Sequence, residues 1–579
     1  MLFAGMFART SQGRTKGEAA VAALSGSLSR RPSTTPEQFR SADFSLAWVL
    51  GVGDASGTVV RTGDGRVTLV SGDPVFDSAS NSRLIAADHR RVHAICCEGN
   101  PYSLAAARGF YCALHFDPSA TRLWLVADRL ALRPIYYVID ADFVLFASAL
   151  RMLDNHPFVR RTGTLQASAE IATLGFPLGT RTVLADVHML APAQVVDITP
   201  DAVRISQYWH WDSVPTREAP VDAACEELGA TFKRAVQLRL GDSLEVTALL
   251  SGGLDSRVVV GVLRTLGTEV QSINYAPPGS SDLILGREAA RVLGTKHFEV
   301  GAGVPETWHR LACAYESWRE AAHRENNDPR LLWSGDGGDR VIAPVNLSPS
   351  VVAQLRAGEV RRAIVTYLKD EHVALPRRLF RESVYAQVRD LHLRGIETEI
   401  DRFACEDPGR RFHLYVLSNE SRGNIRNHFE DYDLHGIEIV MPFYDSEFVR
   451  VALSYRFDMF LQHRLYLHWL HHLPAAIGSV PWQAYPTSLP CPLPMPPGLQ
   501  SQWEAWHTPA EVALKRRRQR EAARELLLHR PFPGWLVNRP ILWLAWALIC
   551  AGFDSYSHVL GSARPFVRYP PDRATAGVP

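Results

Sequence analysis

The stretch that most constrains the fold of this chain is a six-residue turn, Ser251–Ser256, which reads Ser-Gly-Gly-Leu-Asp-Ser. An apolar run at Leu244–Leu250 precedes the turn, and a helical pattern from about Arg257 to Leu266 follows it. A second apolar run then covers Glu269–Tyr275. Strand, turn, helix and strand in this order predict a βαβ unit, so we expect a parallel sheet here.

The residues of the turn predict an anion site. Gly252 and Gly253 let the backbone approach a phosphate closely, and the N-terminus of the next helix offers unpaired N–H groups. Ser251 and Ser256 add hydroxyl donors, whereas Asp255 would repel a bare phosphate, so its presence indicates a cation between the two. The alternative is an ordinary tight turn with Ser or Asp as a helix cap. The full six residues in a βαβ context favour the phosphate site, and the Walker pattern GxxxxGK[ST] is absent.

The composition excludes several classes of partner. The chain has 579 residues with 62 Lys plus Arg and 61 Asp plus Glu, so its net charge of +1 gives no overall attraction to nucleic acid or anionic lipid. Eight cysteines without a CxxC pair predict reduced thiols in a cytoplasmic protein. The apolar stretch Ile541–Phe553 is shorter than the roughly 20 residues of a bilayer span. We therefore expect no nucleic acid, no membrane span and a cytoplasmic location.

The pattern of apolar residues along the chain changes near residue 213. Residues 43–210 alternate short apolar runs with turn signals and predict a sheet-rich first part, and the second part is increasingly helical. We therefore predict two domains, 1–212 and 213–579. Within them, the Ser-, Thr-, Gly- and Arg-rich segment 10–40 is expected to be loosely ordered, and Pro486–Gly498 is expected to be a surface loop.

Four further motifs follow the turn in order: Pro278–Leu283, Gly294–His297, Ser334–Asp339 (Ser-Gly-Asp-Gly-Gly-Asp) and Met441–Asp445. With the turn, they resemble the N-type ATP pyrophosphatases and, among these, the asparagine-synthetase-like proteins. The resemblance implies an adenine nucleotide α-hydrolase-like parallel α/β domain with added helices. It also implies a ligase that splits ATP to AMP and pyrophosphate while it adenylates a carboxylate.

The resemblance further implies roles for single residues, with ATP and Mg²⁺ as cofactors. Asp255 and Asp339 are expected to hold Mg²⁺, which prefers one or two protein carboxylates together with phosphate oxygens. Asp336 stands where asparagine synthetases have a glutamate and is expected to position or deprotonate the attacking amine; the alternative is a loop carboxylate turned to solvent. The expected ATP contacts are Leu250, Ser251, Gly252, Gly253, Leu254, Asp255, Ser256, Tyr275, Ser334 and Gly335.

The first part resembles the class II glutamine amidotransferases through Leu125–Tyr137, Phe146–Ser148 and Tyr208–Trp209. This implies an Ntn-type αββα sandwich. Working enzymes of that class begin Met-Cys-Gly, and the cysteine exposed by Met removal uses its own α-amine as base. Here Leu2 takes that place, and Cys96 and Cys97 are internal. We therefore expect an inactive glutaminase domain and a substrate that brings its own amine.

Among relatives without that cysteine, the form of Ser334–Asp339 and of Val480–Gln483 most resembles the lasso peptide cyclases. These adenylate an Asp or Glu side chain of a linear core peptide and close a macrolactam with its N-terminal amine. The resemblance implies the core peptide as substrate, and a leader peptidase and a leader-recognition protein as further partners. The family lysine near Gln483 is missing, so another cation, such as Arg464, would have to serve, and Arg340 replaces a glutamate.

Other functions stay open at this point: a small-molecule β-lactam synthetase, an amide ligase that uses free ammonia, and a catalytically inactive binding homologue. The intact pair Asp255 and Asp339 argues against the last, because two carboxylates beside phosphate are costly to keep. Three weaker signals have ordinary explanations that we favour. We favour ordinary helix residues over a metal site for His468, His471 and His472. We favour core packing over a peptide groove for Trp308, Trp318, Trp333 and Trp482. We favour a solvated helix face over a ligand-binding patch for Lys515–Arg520.

Overall fold

The computed structural model describes residues 1–31, 35–49, 56–77, 85–300, 307–322, 331–342, 344, 347–368, 374–485, 487–499 and 509–573. The strands in these ranges are β1 Leu2–Ala8, β2 Glu37–Arg40, β3 Phe44–Val49, β4 Gly57–Arg61, β5 Val67–Gly72, β6 Tyr111–Asp117, β7 Arg122–Ala127, β8 Tyr136–Ile139, β9 Phe143–Ala147, β10 His188–Met189, β11 Gln194–Ile198, β12 Val203–Gln207, β13 Glu245–Leu249, β14 Glu269–Asn274, β15 Lys296–Glu299, β16 Leu331–Trp333 and β17 Glu438–Val440.

The helices range from single turns to five and a half turns. Their bounds are Ser11–Leu28, Ile85–Glu98, Leu150–Asp154, Leu165–Leu174, Val221–Leu240, Leu254–Thr265, Ser281–Leu293, Thr307–Ala321, Gly338–Val341, Pro349–Arg356, Val360–Leu368, Glu382–Val388, Leu391–Asp401, Pro408–Tyr415, Ser421–Glu430, Tyr432–His435, Ser446–Leu453, Arg464–Leu470, Ala475–Gly478, Pro509–Leu528, Arg539–Cys550 and Ser557–Arg568.

The first part of the chain is an αββα sandwich, as the resemblance implied. Two antiparallel sheets, in the orders β10-β8-β9-β1-β3-β2 and β12-β11-β7-β6-β5-β4, pack face to face. Because strand side chains alternate, Phe3 and Phe7 of β1 face the second sheet while Leu2, Ala4 and Met6 face the helix Ser11–Leu28. The helix Ile85–Glu98 covers the outer face of the second sheet.

The expectation of a loosely ordered segment 10–40 is wrong. Residues 11–28 form a helix whose Ala20, Val21, Leu24 and Leu28 side chains are fully buried, and residues 37–40 form the edge strand β2. These four residues make an apolar stripe at helical spacing, and the stripe is buried against β1. A composition rich in Ser, Gly and Arg concealed this stripe. Residues 32–34 of the segment lie outside the described ranges.

The second part contains the predicted parallel sheet, in the order β15-β14-β13-β16-β17. The βαβ unit is present as β13, the helix Leu254–Thr265 and β14, within three residues of the predicted bounds. Strands β14 and β15 are added in sequence on one side of β13, and the chain then returns to place β16 and β17 on the other side. The carboxyl ends of β13 and β16 therefore flank the point at which the strand order reverses, which is where open α/β sheets bind ligands.

Helices added after residue 347 surround this sheet and also reach back to the sandwich. The helix Leu165–Leu174 packs with the helix Ser557–Arg568 in one apolar cluster.

Trp318, Trp333 and Trp482 are core residues, whereas the side chain of Trp308 lies outside the described residues. Residues 487–498 contain no helix or strand, as expected for the Pro-rich loop; Pro486 is outside the described ranges. Among the described helices, none combines the length and the apolar character needed to span a bilayer.

Candidate active site

The turn Ser251–Gly253 and the motif Ser334–Asp339 leave adjacent parallel strands and meet at the same edge of the sheet. Ala248 of β13 pairs with Trp333 of β16, so both motifs begin within three residues of the paired positions. The motif residues therefore lie together because of the strand pairing, although about 80 residues of chain separate them.

Hydrogen bonds within the turn hold its shape. The Ser251 backbone N–H donates to Ser256 Oγ at 3.1 Å, and the two hydroxyl oxygens are also 3.1 Å apart. The Gly252 N–H donates to Asp282 Oδ1 at 3.2 Å, which attaches the motif Pro278–Leu283 to the turn. Gly253 is the N-cap of the helix Leu254–Thr265, and no side chain caps that helix. Its first turn therefore keeps N–H groups that can bind an anion.

Close packing between the two motifs requires glycine at two positions. A Cβ on Gly335 would overlap the backbone of Ser256, and a Cβ on Gly338 would overlap the carboxylate of Asp255. Gly252 is similarly tight, since a Cβ there would lie 2.8 Å from the Cα of Asp282. The glycines thus let two backbones approach each other and bring the carboxylates of both motifs together.

Three carboxylates, Asp255, Asp336 and Asp339, lie close together where the two motifs meet at the sheet edge, a region that we call the cleft. Burial, followed by the neighbouring charge of Asp339, raises the pKa of Asp255 to about 8, although Tyr466 donates its hydroxyl to Asp255 Oδ1 at 2.5 Å. Asp336 is exposed to solvent, yet the surrounding protein desolvates its carboxyl and raises its pKa. Ser334 Oγ donates to Asp336 Oδ2 at 2.7 Å, which fixes the direction of this carboxylate.

The carboxylates fit the divalent cation that the resemblance implies. Carboxylates this close to one another disfavour the ionisation of each, and a bound cation would instead favour it. All of the charged donors are oxygens, the ligand type that Mg²⁺ prefers. Asp255 and Asp339 come from different motifs and approach each other beside the uncapped helix end, so they are the pair placed to share a cation with a phosphate.

Arg340 is a cation at this cleft that the sequence named only as a departure from the family pattern. Its Nε lies 3.2 Å from Asp339 Oδ2, and its Nη1 donates to Glu420 Oε2 at 2.7 Å. Tyr367 donates its hydroxyl to the same Glu420 oxygen at 2.8 Å. Arg464, suggested as a replacement for the missing lysine, is exposed and instead reaches the Gln462 side chain at 3.2 Å. The structure therefore places Arg340, and not Arg464, beside the motif carboxylates.

The segment Val480–Gln483 is joined to the turn by a buried arginine. Arg257 donates to the carbonyl oxygens of Gly252, Val480 and Pro481, each at 2.7 Å. Gln483 Oε1 accepts a hydrogen bond from Ser281 Oγ at 2.7 Å. Burial lowers the pKa of Arg257 to about 10 but leaves it charged at neutral pH. The helix that carries Asp255 therefore also holds the Pro-Trp-Gln segment against the cleft.

The structure brings the residues proposed to bind ATP and Mg²⁺ to one edge of the sheet but not Arg464, and the roles of all of them remain predictions. Leu250 and Tyr275 directly follow β13 and β14, as expected for positions near an adenine ring, and Leu250 is buried. Ser334 and Gly335 directly follow β16. The sequence analysis missed Tyr466, Glu420 and Tyr367. They lie on helices far along the chain from the motifs, and no local pattern marks them.

Comparison with known families divides the chain at the same place as its architecture. Residues 227–477 match the family model described as asparagine synthase, and residues 76–209 match that of a glutamine amidotransferase domain. The first match includes the turn Ser251–Ser256 and the motif Ser334–Asp339. The chain is thus similar to asparagine synthases over residues 227–477 and to glutamine amidotransferase domains over residues 76–209.

The similar curated proteins are asparagine synthetases. Asparagine synthetase [glutamine-hydrolyzing] 3 of Bacillus subtilis is 22% identical over 208 residues, 36% of this chain and 33% of that protein. Asparagine synthetase [glutamine-hydrolyzing] 2 of Arabidopsis thaliana is 36% identical over 260 residues, 42% of this chain and 37% of that protein. The matched regions thus span little more than a third of these relatives. Among solved structures, a glutamine phosphoribosylpyrophosphate amidotransferase from B. subtilis covers 58% of this chain and 91% of its own at 10% identity, with a TM-score of 0.22.

Proposed function

We propose, from the asparagine synthase match over residues 227–477, that the chain is an ATP-dependent carbon–nitrogen ligase. It adenylates a carboxylate, releases pyrophosphate, and joins that carboxyl to an amine of the same substrate with release of AMP. The reaction we propose is macrolactam closure of a lasso peptide. The substrate is then a linear core peptide, with a leader peptidase and a leader-recognition protein as partners upstream.

The observation that carries the ligase proposal is the combination of Asp255, Asp339 and an uncapped helix N-terminus at the strand-order switch. The helix end and the glycine turn suit the phosphates of ATP. The two carboxylates would hold Mg²⁺, which when bound neutralises charge on the pyrophosphate group as it leaves. The crowding of Asp339 against the buried Asp255, which raises the pKa of Asp255, favours a site that binds a cation over a cleft without a ligand.

Asp336 suits the second half-reaction. A carboxylate with a raised pKa is a stronger base than an ordinary one, and this one is exposed and oriented by Ser334. In our proposal it accepts the proton of the attacking amine. Arg340, held by Glu420 and facing Asp339, supplies the positive charge that the missing lysine would have provided near the acyl-adenylate.

The amine comes from the substrate in this proposal because the first domain offers no activated thiol among its described residues. Glutaminase chemistry of this class needs a thiol that is readily deprotonated, whereas burial raises the pKa of Cys96 to about 12 and also raises that of Cys97. Burial raises the pKa of Cys112 to about 12, so this thiol stays protonated at neutral pH. We therefore expect no glutamate from glutamine.

ATP–pyrophosphate exchange tests the proposal directly. The probes are linear peptides with a free N-terminal amine and an internal Asp or Glu, the same peptides with an acetylated N-terminus, and L-aspartate with ammonium chloride. We expect exchange with both forms of a cognate peptide, and loss of one water from the free-amine form alone in its mass spectrum.

Each alternative predicts another result. Exchange with L-aspartate and amide formation from ammonium would replace the cyclase with an asparagine-synthetase-like ligase. Exchange restricted to small amino acid derivatives would favour a β-lactam synthetase. ATP binding without exchange for any carboxylate probe would indicate a binding homologue.

A further inference from the structure

A cluster of nitrogen and sulfur donors lies in the first domain, on the outer face of its second sheet. His93 and Cys97 are four residues apart on the helix Ile85–Glu98, so they share one face of it. His115 of β6 contacts the same region from the sheet. One donor atom from each of the three side chains lies within 4.8 Å of the others. Neither the ligase chemistry nor the sandwich core accounts for this set.

The separations fit a shared transition-metal ion. Cys97 Sγ lies 3.5 Å from His93 Nε2. With a metal–sulfur bond of about 2.3 Å and a metal–nitrogen bond of about 2.05 Å, tetrahedral geometry places the two donors about 3.6 Å apart. The thiol and one imidazole are thus already at the right separation, and the donor atom of the third side chain lies within 4.8 Å of both.

A buried hydroxyl sets the two imidazoles side by side. Thr68 Oγ1 of β5 lies 2.7 Å from Nδ1 of His93 and 2.7 Å from Nδ1 of His115. Thr68 and His115 are buried, whereas His93 and Cys97 are half-buried. A small cation can therefore enter beside the helix, and three protein ligands leave one coordination position for water.

The surrounding charge does not oppose a cation. Arg66, the nearby guanidinium, is paired with Asp64 at 2.8 Å and with Asp117 at 3.0 Å. One thiolate and two neutral imidazoles form a borderline-soft donor set, which favours Zn²⁺ and similar transition metals over Mg²⁺ and Ca²⁺. This preference is opposite to that of the oxygen donors in the ligase cleft.

We propose that His93, Cys97 and His115 form a zinc-type metal site that ties the helix Ile85–Glu98 to strand β6. Cys97 binds as the thiolate and releases its proton to solvent, and the two histidines bind through neutral ring nitrogens. Thr68 is a positioning residue that holds the rings. The site acts on the stability of the first domain and does not depend on the proposed ligase activity.

The test uses the full-length chain, stripped of metal with a chelator and titrated with Co²⁺ and then Zn²⁺. We expect one equivalent of Co²⁺ per chain to give a thiolate-to-cobalt charge-transfer absorption, which Zn²⁺ displaces. Cys97→Ser should remove that absorption and weaken Zn²⁺ binding at least about 100-fold, and Thr68→Val should weaken it about 10-fold. The matched control is Cys313→Ser, which alters an exposed thiol elsewhere and should bind like the wild type.

Thermal unfolding keeps the test decisive if a variant folds poorly. Zn²⁺ should raise the midpoint of the wild type and of Cys313→Ser but not that of Cys97→Ser or His93→Gln, all of which should have the same circular dichroism without metal. A folded wild type that binds neither metal at one equivalent overturns the proposal. So does a Cys97→Ser protein that binds Zn²⁺ as tightly as the wild type.

Discussion

Motif carboxylates occur in two very different settings in this molecule. Asp445 of the motif Met441–Asp445 is completely buried between the guanidinium groups of Arg108 and Arg239, at 2.9 and 2.7 Å. Burial alone would raise the pKa of Asp445, but Arg239 and then Arg108 outweigh it and keep the pKa low. Asp255, in the cleft, has carboxylates as neighbours instead of guanidinium groups, and its pKa is raised.

The two settings correspond to two roles: Asp445 holds parts of the fold together, whereas Asp255 belongs to the proposed ligand site. Arg108 belongs to the sandwich and Asp445 to the second part, so their ion pair fastens the two parts together, and Asp445 also caps the helix Ser446–Leu453. Arg133 of the sandwich pairs with Glu438 of β17 in the same way. A paired, buried carboxylate stabilises the fold, whereas a carboxylate crowded by like charges, such as Asp255, has a raised pKa and is the kind of group that we propose binds a cation.

The largest expected effect is on stability at the interface. Asp445→Asn keeps an acceptor for the helix cap but removes the counter-ion of the buried Arg239 and leaves the buried Arg108 only the exposed Asp77, so we expect a loss of about 3–5 kcal/mol in the free energy of unfolding. Urea denaturation measures it. The control is Asp197→Asn, whose partner Arg122 is partly exposed, and which should cost less than about 1 kcal/mol. Equal losses in the two variants would remove the distinction.

The next effect is on catalysis in the cleft. Asp255→Asn and Asp339→Asn should each reduce ATP–pyrophosphate exchange by at least about 100–1,000-fold, because each removes a charge that the phosphates and their cation require. Both proteins should unfold in urea no earlier than the wild type. Full exchange activity in either variant would contradict the assigned site.

A smaller effect should divide the two half-reactions. Asp336→Asn is expected to retain exchange while the rate of ring closure falls by about 100-fold, since only amine attack needs a proton acceptor. Quenched-flow measurement of AMP release, with the peptide product followed by mass spectrometry, separates the two steps. A parallel fall in both rates would instead place Asp336 in nucleotide binding.

The smallest effect, taken over one pH unit, is a pH dependence of stability without metal. Because the pKa of Asp255 is raised from 3.8 to about 8, its contribution is fully present below pH 3.8 and is lost as the pH rises toward 8. The wild type should therefore lose stability relative to Asp255→Asn across that window, by at most about 1.4 kcal/mol per pH unit. Urea unfolding in a chelator measures the difference, which saturating Mg²⁺ should reduce. A constant difference would show that Asp255 is not crowded.

Local patterns predicted much of this molecule. The strands of the βαβ unit around Ser251–Ser256 are displaced by one residue at most from their predicted bounds, and its helix by three. Both succeed because short-range hydrophobic periodicity is the signal that forms them. Residues 10–40 were misjudged because average composition says nothing about the spacing of Ala20, Val21, Leu24 and Leu28.

The contacts that complete the cleft were beyond prediction. Tyr466 donates to Asp255, which lies 211 residues earlier in the chain. Arg340 is held at the cleft by a hydrogen bond to Glu420, 80 residues later in the chain. Likewise, nothing in the spacing of Thr68, His93 and His115 shows that one hydroxyl contacts both rings. Such pairs depend on strand register and helix packing.

By itself the sequence determined the glycine turn Ser251–Ser256, its place between a strand and a helix, and the residue types at the second motif, because these follow from neighbours along the chain. Only the tertiary structure decided which carboxylates crowd together and which are paired with arginine. The reason is electrostatic: the same side chain is a structural ion-pair partner or a reactive group according to the charges that folding brings within a few ångströms of it.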